Sequence, residues 1–446
     1  DLWFKEILDR EWPKLVKEID QKRAKITDGI ARRFTGLGIT ESQVDQVLIS
    51  MSLKTKKPQD WTEDDIMTFL KTLRKNAKPL LVAANKADLC DDLKIIEKIY
   101  KLESNNTTPL KEFVAGFTTF ITMAYIIFVN PQLMSASGMD QGAAFVGTCL
   151  AAAFACIAMG VYANWPVGLA PGMGLNAFFT YNVVNEMGYS WEVALGAVFL
   201  AGVLFVVMSV TPLRRWMLDS IPLNLRIAMG SGVGLFIGFI GLKSGGLIVA
   251  NDANFLSLGD FTKLETLLSS LGFLLIAILS IRKVPGAIIL GVLSVTLGGV
   301  VLGLVQFQGV LALPPDIAPT FMKLDILGAL DLAMISVIMS FLFVNFFDTT
   351  GTLLGVANRA KLVDQDGNAA GLDRALKADS SSSVVGAFFG CAPVTSYVES
   401  SAGVEAGGRT GLTAVVVGVF FLVAVFFSPL ASIVPAYATA GALIYV

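Results

Sequence analysis

Two acidic side chains stand where acids are costly. Asp348 and Glu399 lie well inside stretches that are otherwise apolar, and an ionisable group at membrane depth pairs with a neighbour or faces a water-filled path. Their chemistry has two sides. A carboxylate accepts two hydrogen bonds side by side from a planar N–H edge, and such charge-assisted bonds are roughly twice as strong as neutral ones. Removal from water also favours the neutral form of a carboxyl, so the same group can carry a proton. The chain has no histidine, so no imidazole can share that task. Thr395, Ser396, Ser400 and Ser401 surround Glu399, whereas Thr349 and Thr350 follow Asp348 and leave it open to a purely structural hydrogen bond. Asn345 precedes Asp348 by one helical turn, which predicts that both point toward Glu399 from one face. Asn345 and Asn176 fit helix–helix hydrogen bonding as well as ligand contact.

A second pattern lies near the N-terminus. The short apolar run Pro79-Leu-Leu-Val-Ala-Ala84 predicts a buried strand, Asn85, Lys86 and Asp88 follow it at once, and a helix-like run extends from Asp91 to Leu102. Strand, Asn-Lys-x-Asp, helix is an arrangement that reads guanine, the Asp accepting hydrogen bonds from ring N–H and amino groups. No G-x-x-x-x-G-K-[ST] phosphate loop occurs in the chain, so nothing cradles phosphates or places magnesium. Neither a catalytic residue nor a metal ligand is expected, and the protein is read as a non-enzyme.

The elements that must position these groups follow from composition. Of 446 residues, 54% are hydrophobic and 16% charged, too apolar for a soluble chain of this length. Charge is uneven: residues 1–112 carry 21 Lys+Arg and 19 Asp+Glu, and the rest carry 13 and 17. The near balance in both parts excludes a nucleic-acid binder, which needs clustered basic side chains. Leu2, Phe4, Ile7, Leu8, Trp12, Leu15 and Ile19 predict an amphipathic first helix, with further helices capped by Thr40 and Thr62. From Phe113 onward, apolar stretches with short polar loops predict about twelve crossings, centred near Met123, Ala152, Met173, Val203, Leu235, Phe273, Val292, Met339, Val385, Val398, Val417 and Val434. Loops after the even-numbered spans hold Arg214, Arg215, Arg282, Lys283, Arg359, Lys361, Arg374, Lys377 and Arg409, and the opposite loops only Lys243, Lys263 and Lys323. This places the N-terminus in the cytoplasm. The third span, Trp165 to Phe179, holds two prolines and three glycines, and the tenth starts at Gly390-Cys-Ala-Pro393. Both are predicted to break, and a broken pair in matching places of two halves points to a transporter's midplane site. Phe128-Val-Asn130 in span one is echoed by Phe343-Val-Asn345 in span eight.

The stretches Thr122-Met-Ala-Tyr-Ile-Ile-Phe-Val-Asn-Pro131, Leu169-Ala-Pro-Gly-Met-Gly-Leu-Asn-Ala-Phe-Phe179, Phe346-Phe-Asp-Thr-Thr-Gly-Thr-Leu353, Ser396-Tyr-Val-Glu-Ser-Ser-Ala-Gly-Val404 and Gly407-Gly-Arg-Thr-Gly-Leu412 resemble the nucleobase cation symporter family, in particular its AzgA-like purine permease branch. The resemblance runs from about Pro109 to Val446. It implies an all-α polytopic fold of seven-plus-seven inverted repeats with two broken helices and with core and gate domains. The implied function is proton-coupled uptake of purine bases at the cell inner membrane. The resemblance puts Glu399 at the substrate carboxylate of the tenth span, Asn176 in the third-span motif and Asp348 on the acid of the eighth. Asn345 stands where relatives commonly carry an acid. The family has fourteen spans, so the last two are expected to be lacking here.

Residues 1–102 resemble Obg-like GTPases, particularly archaeal ones, over Leu2-Trp-Phe4, Trp61-Thr-Glu-Asp-Asp65 and Lys78 to Asp88. Together with the missing phosphate loop, this divides the chain into a soluble fragment, 1–103, read as a fusion partner, a linker, 104–112, and a transporter domain, 113–446. For a flat base, Glu399 is the bidentate partner. Asn176, Asn345, Thr395 and Ser396 are further contacts, Tyr125 and Phe178 are stacking candidates with Phe179, Phe346 and Phe347, and Asp348 or Glu399 is the proton carrier. The partners expected are a purine base, protons and the lipid bilayer, with a homodimer as one open assembly and no organic cofactor. Two other classes stay open: an anion exchanger of the same plan, which calls for a basic residue at the site, and a GTP-regulated membrane protein.

Overall fold

The computed structural model describes residues 12, 14–17, 26–33, 41–51, 53–54, 56–76, 96–97, 99–211, 223–252, 254–307, 309–363 and 369–445. They fall into two compact units, Asp1–Lys98 and Ile99–Val446. In the first, helices α1 (Ile26–Arg33), α2 (Glu41–Ser50) and α3 (Glu63–Asn76) bury Leu15, Ile30, Val44, Leu48 and Phe69. Trp61 lies 5.3 Å from Trp12 and 5.1 Å from Phe69, centroid to centroid. Thr62 and Asp65 exchange backbone-to-side-chain hydrogen bonds of 3.2 Å ahead of α3, a reciprocal capping arrangement that satisfies two donors at the helix start. The backbone N–H of Thr62 first, and its hydroxyl second, hold the Asp65 carboxyl below its ordinary range. The strand expected at residues 79–84 and the trio Asn85, Lys86 and Asp88 lie outside the described residues.

The second unit is mostly helical. Its first half runs α4 (Pro109–Met123), α5 (Ile126–Ser135), α6 (Gln141–Ala158), β1 (Leu169–Pro171), α7 (Met173–Ala177) and α8 (Trp191–Val210). The first helix begins at Pro109, with Thr108 accepting from Lys111 N: proline at the first helical position loses only an N–H that had no partner. Next come α9 (Leu223–Ser244), the hairpin of β2 (Ile248–Asn251) and β3 (Phe255–Leu258), α10 (Leu264–Ile281) and α11 (Ala287–Val301). The second half consists of α12 (Met334–Ala360), α13 (Leu372–Phe388), β4 (Val394–Ser396), α14 (Ser400–Glu405), α15 (Gly411–Ala424), α16 (Ser428–Ile433) and α17 (Ala436–Tyr445).

Among the described residues, six helices are long and apolar enough to cross a membrane. Large apolar side chains are exposed along one stripe of α10, at Leu264, Leu267, Leu271, Leu274, Ile278 and Ile281. The three- and four-residue spacing makes this a continuous apolar face. Helices α9, α10, α11 and α17 pack mainly on one another, and the remaining spans form a second packing group.

The all-α expectation needs one correction. The two broken spans meet as strands: β1 and β4 pair antiparallel, with Leu169 opposite Ser396, Ala170 opposite Thr395 and Pro171 opposite Val394. Once Pro166, Pro171 and Pro393 stop helix formation, the freed N–H and C=O groups have no water to turn to, and each segment supplies the other's partners. Gly390, at φ +76°, makes the bend into β4. Gly172 permits the close approach, since a Cβ there would lie 2.6 Å from the Thr395 methyl.

Candidate functional site

A cavity of about 370 Å³ opens beside the paired strands, within the usual range for a small-molecule site. Four segments of the larger packing group line it: Tyr125 between α4 and α5; Gly172 to Leu175 from the first break; Val344, Phe347, Asp348, Gly351 and Thr352 on α12; and Thr395 to Glu399 from the second break. Gly230, Val233 and Ile237 of α9 close it from the other group. The wall is thus apolar and aromatic, with polar atoms concentrated on the stretch from β4 to α14. No Lys or Arg lines it among the described residues, so the basic residue that would favour an anion exchanger is not among them.

Glu399 stands just ahead of α14, half-buried, and accepts a 2.6 Å hydrogen bond from the Tyr125 hydroxyl on Oε1. Thr122 Oγ1 lies 3.5 Å from the Glu399 carbonyl, but its single proton goes to Thr119 O at 2.7 Å. Asp348 exposes its side chain to the cavity and accepts from Thr395 Oγ1 at 3.2 Å. Tyr397 is buried and donates to Pro171 O at 2.6 Å, which fixes its ring against β1. Behind β1, Cys156 Sγ lies 3.1 Å from Leu169 N and 3.2 Å from Leu169 O. That thiol occupies the hydrogen-bonding place of a third strand.

The structure therefore brings Tyr125, Asp348, Thr395, Ser396 and Glu399 together. It does not bring Asn176, Asn345 or Phe178 to the cavity. Asn176 is fully buried on α7 and donates to Asn130 Oδ1 at 2.5 Å, and Asn130 donates to Thr148 on α6 at 2.7 Å. Asn345 turns to α13 and donates to Ser383 Oγ at 3.0 Å, and Ser383 donates to Val394 O. A three-residue step on an α-helix leaves side chains about 60° apart, since each residue turns about 100°. That angle sends Asn345 to the neighbouring helix and Asp348 to the cavity. Phe178 packs edge-on against Phe341 at 5.2 Å. Of the other stacking candidates, Phe347 lines the cavity, whereas Phe179 and Phe346 do not.

The echoed Phe-Val-Asn triplets share a physical role. In each half, the asparagine amide donates to a hydroxyl on the following helix, Asn130 to Thr148 and Asn345 to Ser383.

Two fully buried acids escape a sequence reading. Asp379 on α13 accepts from Thr349 Oγ1 at 2.9 Å and Ser396 Oγ at 2.7 Å. Glu112 on α4 accepts from Arg409 N at 2.9 Å and from Thr413 N and Oγ1. Lys377 two residues before Asp379 and Lys111 beside Glu112 make both acids look like parts of solvated span ends.

Residues 110–446 match the Permease family Xan_ur_permease. The chain is 49% identical over 352 residues to the adenine permease AdeP of Escherichia coli strain K12, covering 79% of each chain. It is 42% identical over 363 residues to the guanine/hypoxanthine permease PbuG of Bacillus subtilis strain 168, covering 79% of this chain and 82% of that one. Its fold is similar to the transmembrane domain of a cyanobacterial bicarbonate transporter, BicA, at TM-score 0.57 and 17% identity, over 75% of this chain and 87% of that one.

Proposed function

This chain belongs to the permease family matched over residues 110–446, and from that premise we propose that it takes purine nucleobases across the cytoplasmic membrane by proton-coupled alternating access. The observation that carries the reading is the pairing of Glu399 with Tyr125 at the edge of an otherwise apolar, uncharged-to-acidic cavity. A purine is flat, close to neutral and edged with N–H donors. Glu399 Oε2 accepts one ring or exocyclic N–H, and the Tyr125 oxygen, whose proton already points to Oε1, accepts a second. Phe347 and Tyr397 supply ring faces. Names of relatives that include both adenine and guanine/hypoxanthine permeases support the purine class.

In this account Asp348 is the proton carrier. It faces the same cavity without touching Glu399 through any hydrogen bond, so loading it changes the charge beside the base while leaving the base's acceptor free. The smaller packing group, α9 to α11 with α17, rocks against the larger one around the paired strands as the gate of a seven-plus-seven inverted repeat. The N-terminus lies in the cytoplasm, and residues 1–103 are a soluble marker outside the transport function.

The test is uptake of labelled adenine by the purified chain in liposomes under an imposed pH gradient, with and without residues 1–103. Accumulation against a concentration gradient, abolished by Asp348→Asn with adenine binding retained and unaffected by the deletion, is the expected result. Accumulation that ignores the pH gradient contradicts proton coupling.

A further inference from the structure

Asp379 has no exposed surface, yet it is joined to the cavity by hydroxyls. Thr349 Oγ1 donates to Asp379 Oδ1 at 2.9 Å, lies 3.2 Å from Thr395 Oγ1, and Thr395 Oγ1 lies 3.2 Å from Asp348 Oδ2. Each threonine has one hydroxyl proton. With Thr349's proton given to Asp379, Thr395's single proton serves either Thr349 or Asp348. A proton arriving on Asp348 resolves the choice: Asp348 donates to Thr395, Thr395 to Thr349 and Thr349 to Asp379, and every contact in the row then holds one hydrogen. Such chains strengthen cooperatively in a low-dielectric interior.

We propose that Asp348, Thr395, Thr349 and Asp379 form a proton relay in which Asp379 stores the coupled proton out of reach of the cavity. The inference rests on the proton-coupled reading above. In the transfer, the Asp348 O–H bond breaks as one forms at Thr395; Thr395's own proton passes to Thr349, and Thr349's passes to Asp379. The negative charge moves the other way, from Asp379 to Asp348, and the hydrogen-bond directions along the row reverse. The cavity is left with a carboxylate while the protein still holds the proton. Water in the cavity then has no acid to take it from.

The surroundings of Asp379 suit a store. Helix α12 presents Thr349, with Asp348 beside it, and the second break presents Ser396, whereas Tyr397 and Glu399 lie against Asp348. Of the other elements packed on α13, α6 carries only the buried thiols Cys149 and Cys156, the π-helical turn Met159–Ala163 only the exposed Tyr162, and α8 only Glu192, at its first turn. On α13 itself Asp373, Arg374 and Lys377 lie toward the N-terminal end. No cation is hydrogen-bonded or ion-paired to Asp379 among the described residues, so a proton is what neutralises it.

The experiment compares wild type, Thr349→Val and Thr349→Ser in liposomes, measuring adenine binding and adenine-driven proton uptake on the same preparations. The valine keeps the shape and removes the hydroxyl, so binding should survive and proton uptake should be lost; serine should restore it. Proton uptake by wild type with equal uptake by Thr349→Val overturns the relay alone. No proton uptake by wild type overturns both the relay and the coupling on which it rests. Should the valine variant fail to insert, infrared difference spectra of proton loading are recorded on wild type and Asp379→Asn. Loss of the protonated-carboxyl band in Asp379→Asn is the expected result, and an unchanged band overturns the relay.

Discussion

The two broken segments are built alike and equipped differently. Each leaves a span at prolines, runs three residues as a strand and restarts as a short helix, and the strands lie side by side. The first lends the cavity little but backbone and apolar surface, Gly172 to Leu175, and its one amide, Asn176, is turned away into the Asn130–Thr148 row. The second lends Thr395, Ser396, Tyr397 and Glu399. The duplicated segments thus spend their polar groups differently: the first turns its amide into the packed interior, and the second faces the cavity with its own while Tyr397 and Ser400 also hold β1. Bracing is visible in what holds β1, with Cys156 along its edge, Ser400 Oγ accepting from Gly168 N at 2.9 Å and Tyr397 on Pro171.

The largest expected effect breaks the equipped copy. Glu399→Gln keeps the Tyr125 contact but removes the charge. Loss of a charge-assisted bond worth about 1.5–3 kcal/mol predicts roughly ten- to a hundredfold weaker adenine binding in detergent. Insertion should be normal, and unchanged binding would move the site elsewhere.

The next effect falls on the contact between the copies. Gly172→Ala brings a methyl to 2.6 Å from the Thr395 methyl, and forcing volume into a packed site costs about 1–3 kcal/mol. The thermal midpoint should drop, and adenine affinity with it, because Thr395 lines the cavity. An affinity loss without a stability loss would mean that the strands are not braced here.

Asn176→Ala sharpens the contrast from the bracing side. It leaves Asn130 Oδ1 without its donor, but also deletes the Asn176 Oδ1, which is itself buried without a partner. The cost should fall at the lower end of about 1–3 kcal/mol. Stability should fall while adenine affinity stays within about threefold, a change below 1 kcal/mol. A loss as large as that of Glu399→Gln would make the two copies functional equals.

The smallest effect lies in the first unit, Asp1–Lys98, and serves as a reference. The folded-state depression of the Asp65 carboxyl by Thr62 contributes stability that is present above the ordinary carboxylate range and lost as pH falls below that range through the depressed folded-state value. Thr62→Ala should shift the acid midpoint of Trp61 fluorescence upward slightly and leave transport untouched. A change in transport would tie the N-terminal unit to the permease.

Much of this arrangement is legible in the amino-acid order. Pro and Gly clusters mark both breaks because proline cannot continue a helix and glycine weakens it, and Asp348 and Glu399 stand out against apolar neighbours. The rest depends on angles that residue types do not carry. Asn176 follows a break, so the phase of its helix is set by the strand before it, and nothing in Met173 to Ala177 says that it faces Asn130. Asn345 and Asp348 share a helix but not a direction. Asp379 hides because α13 is polar along its first half, from Asp373 to Ser383, and a buried acid among serines looks like a wetted one.

The central claim is that Glu399 holds the base. It is tested most directly by infrared difference spectra of adenine binding to the purified chain, with Glu399→Gln as the control that removes this side chain alone. The account predicts that binding shifts a carboxyl band present in wild type and missing from Glu399→Gln. Adenine bound at saturation with that band unmoved would contradict it.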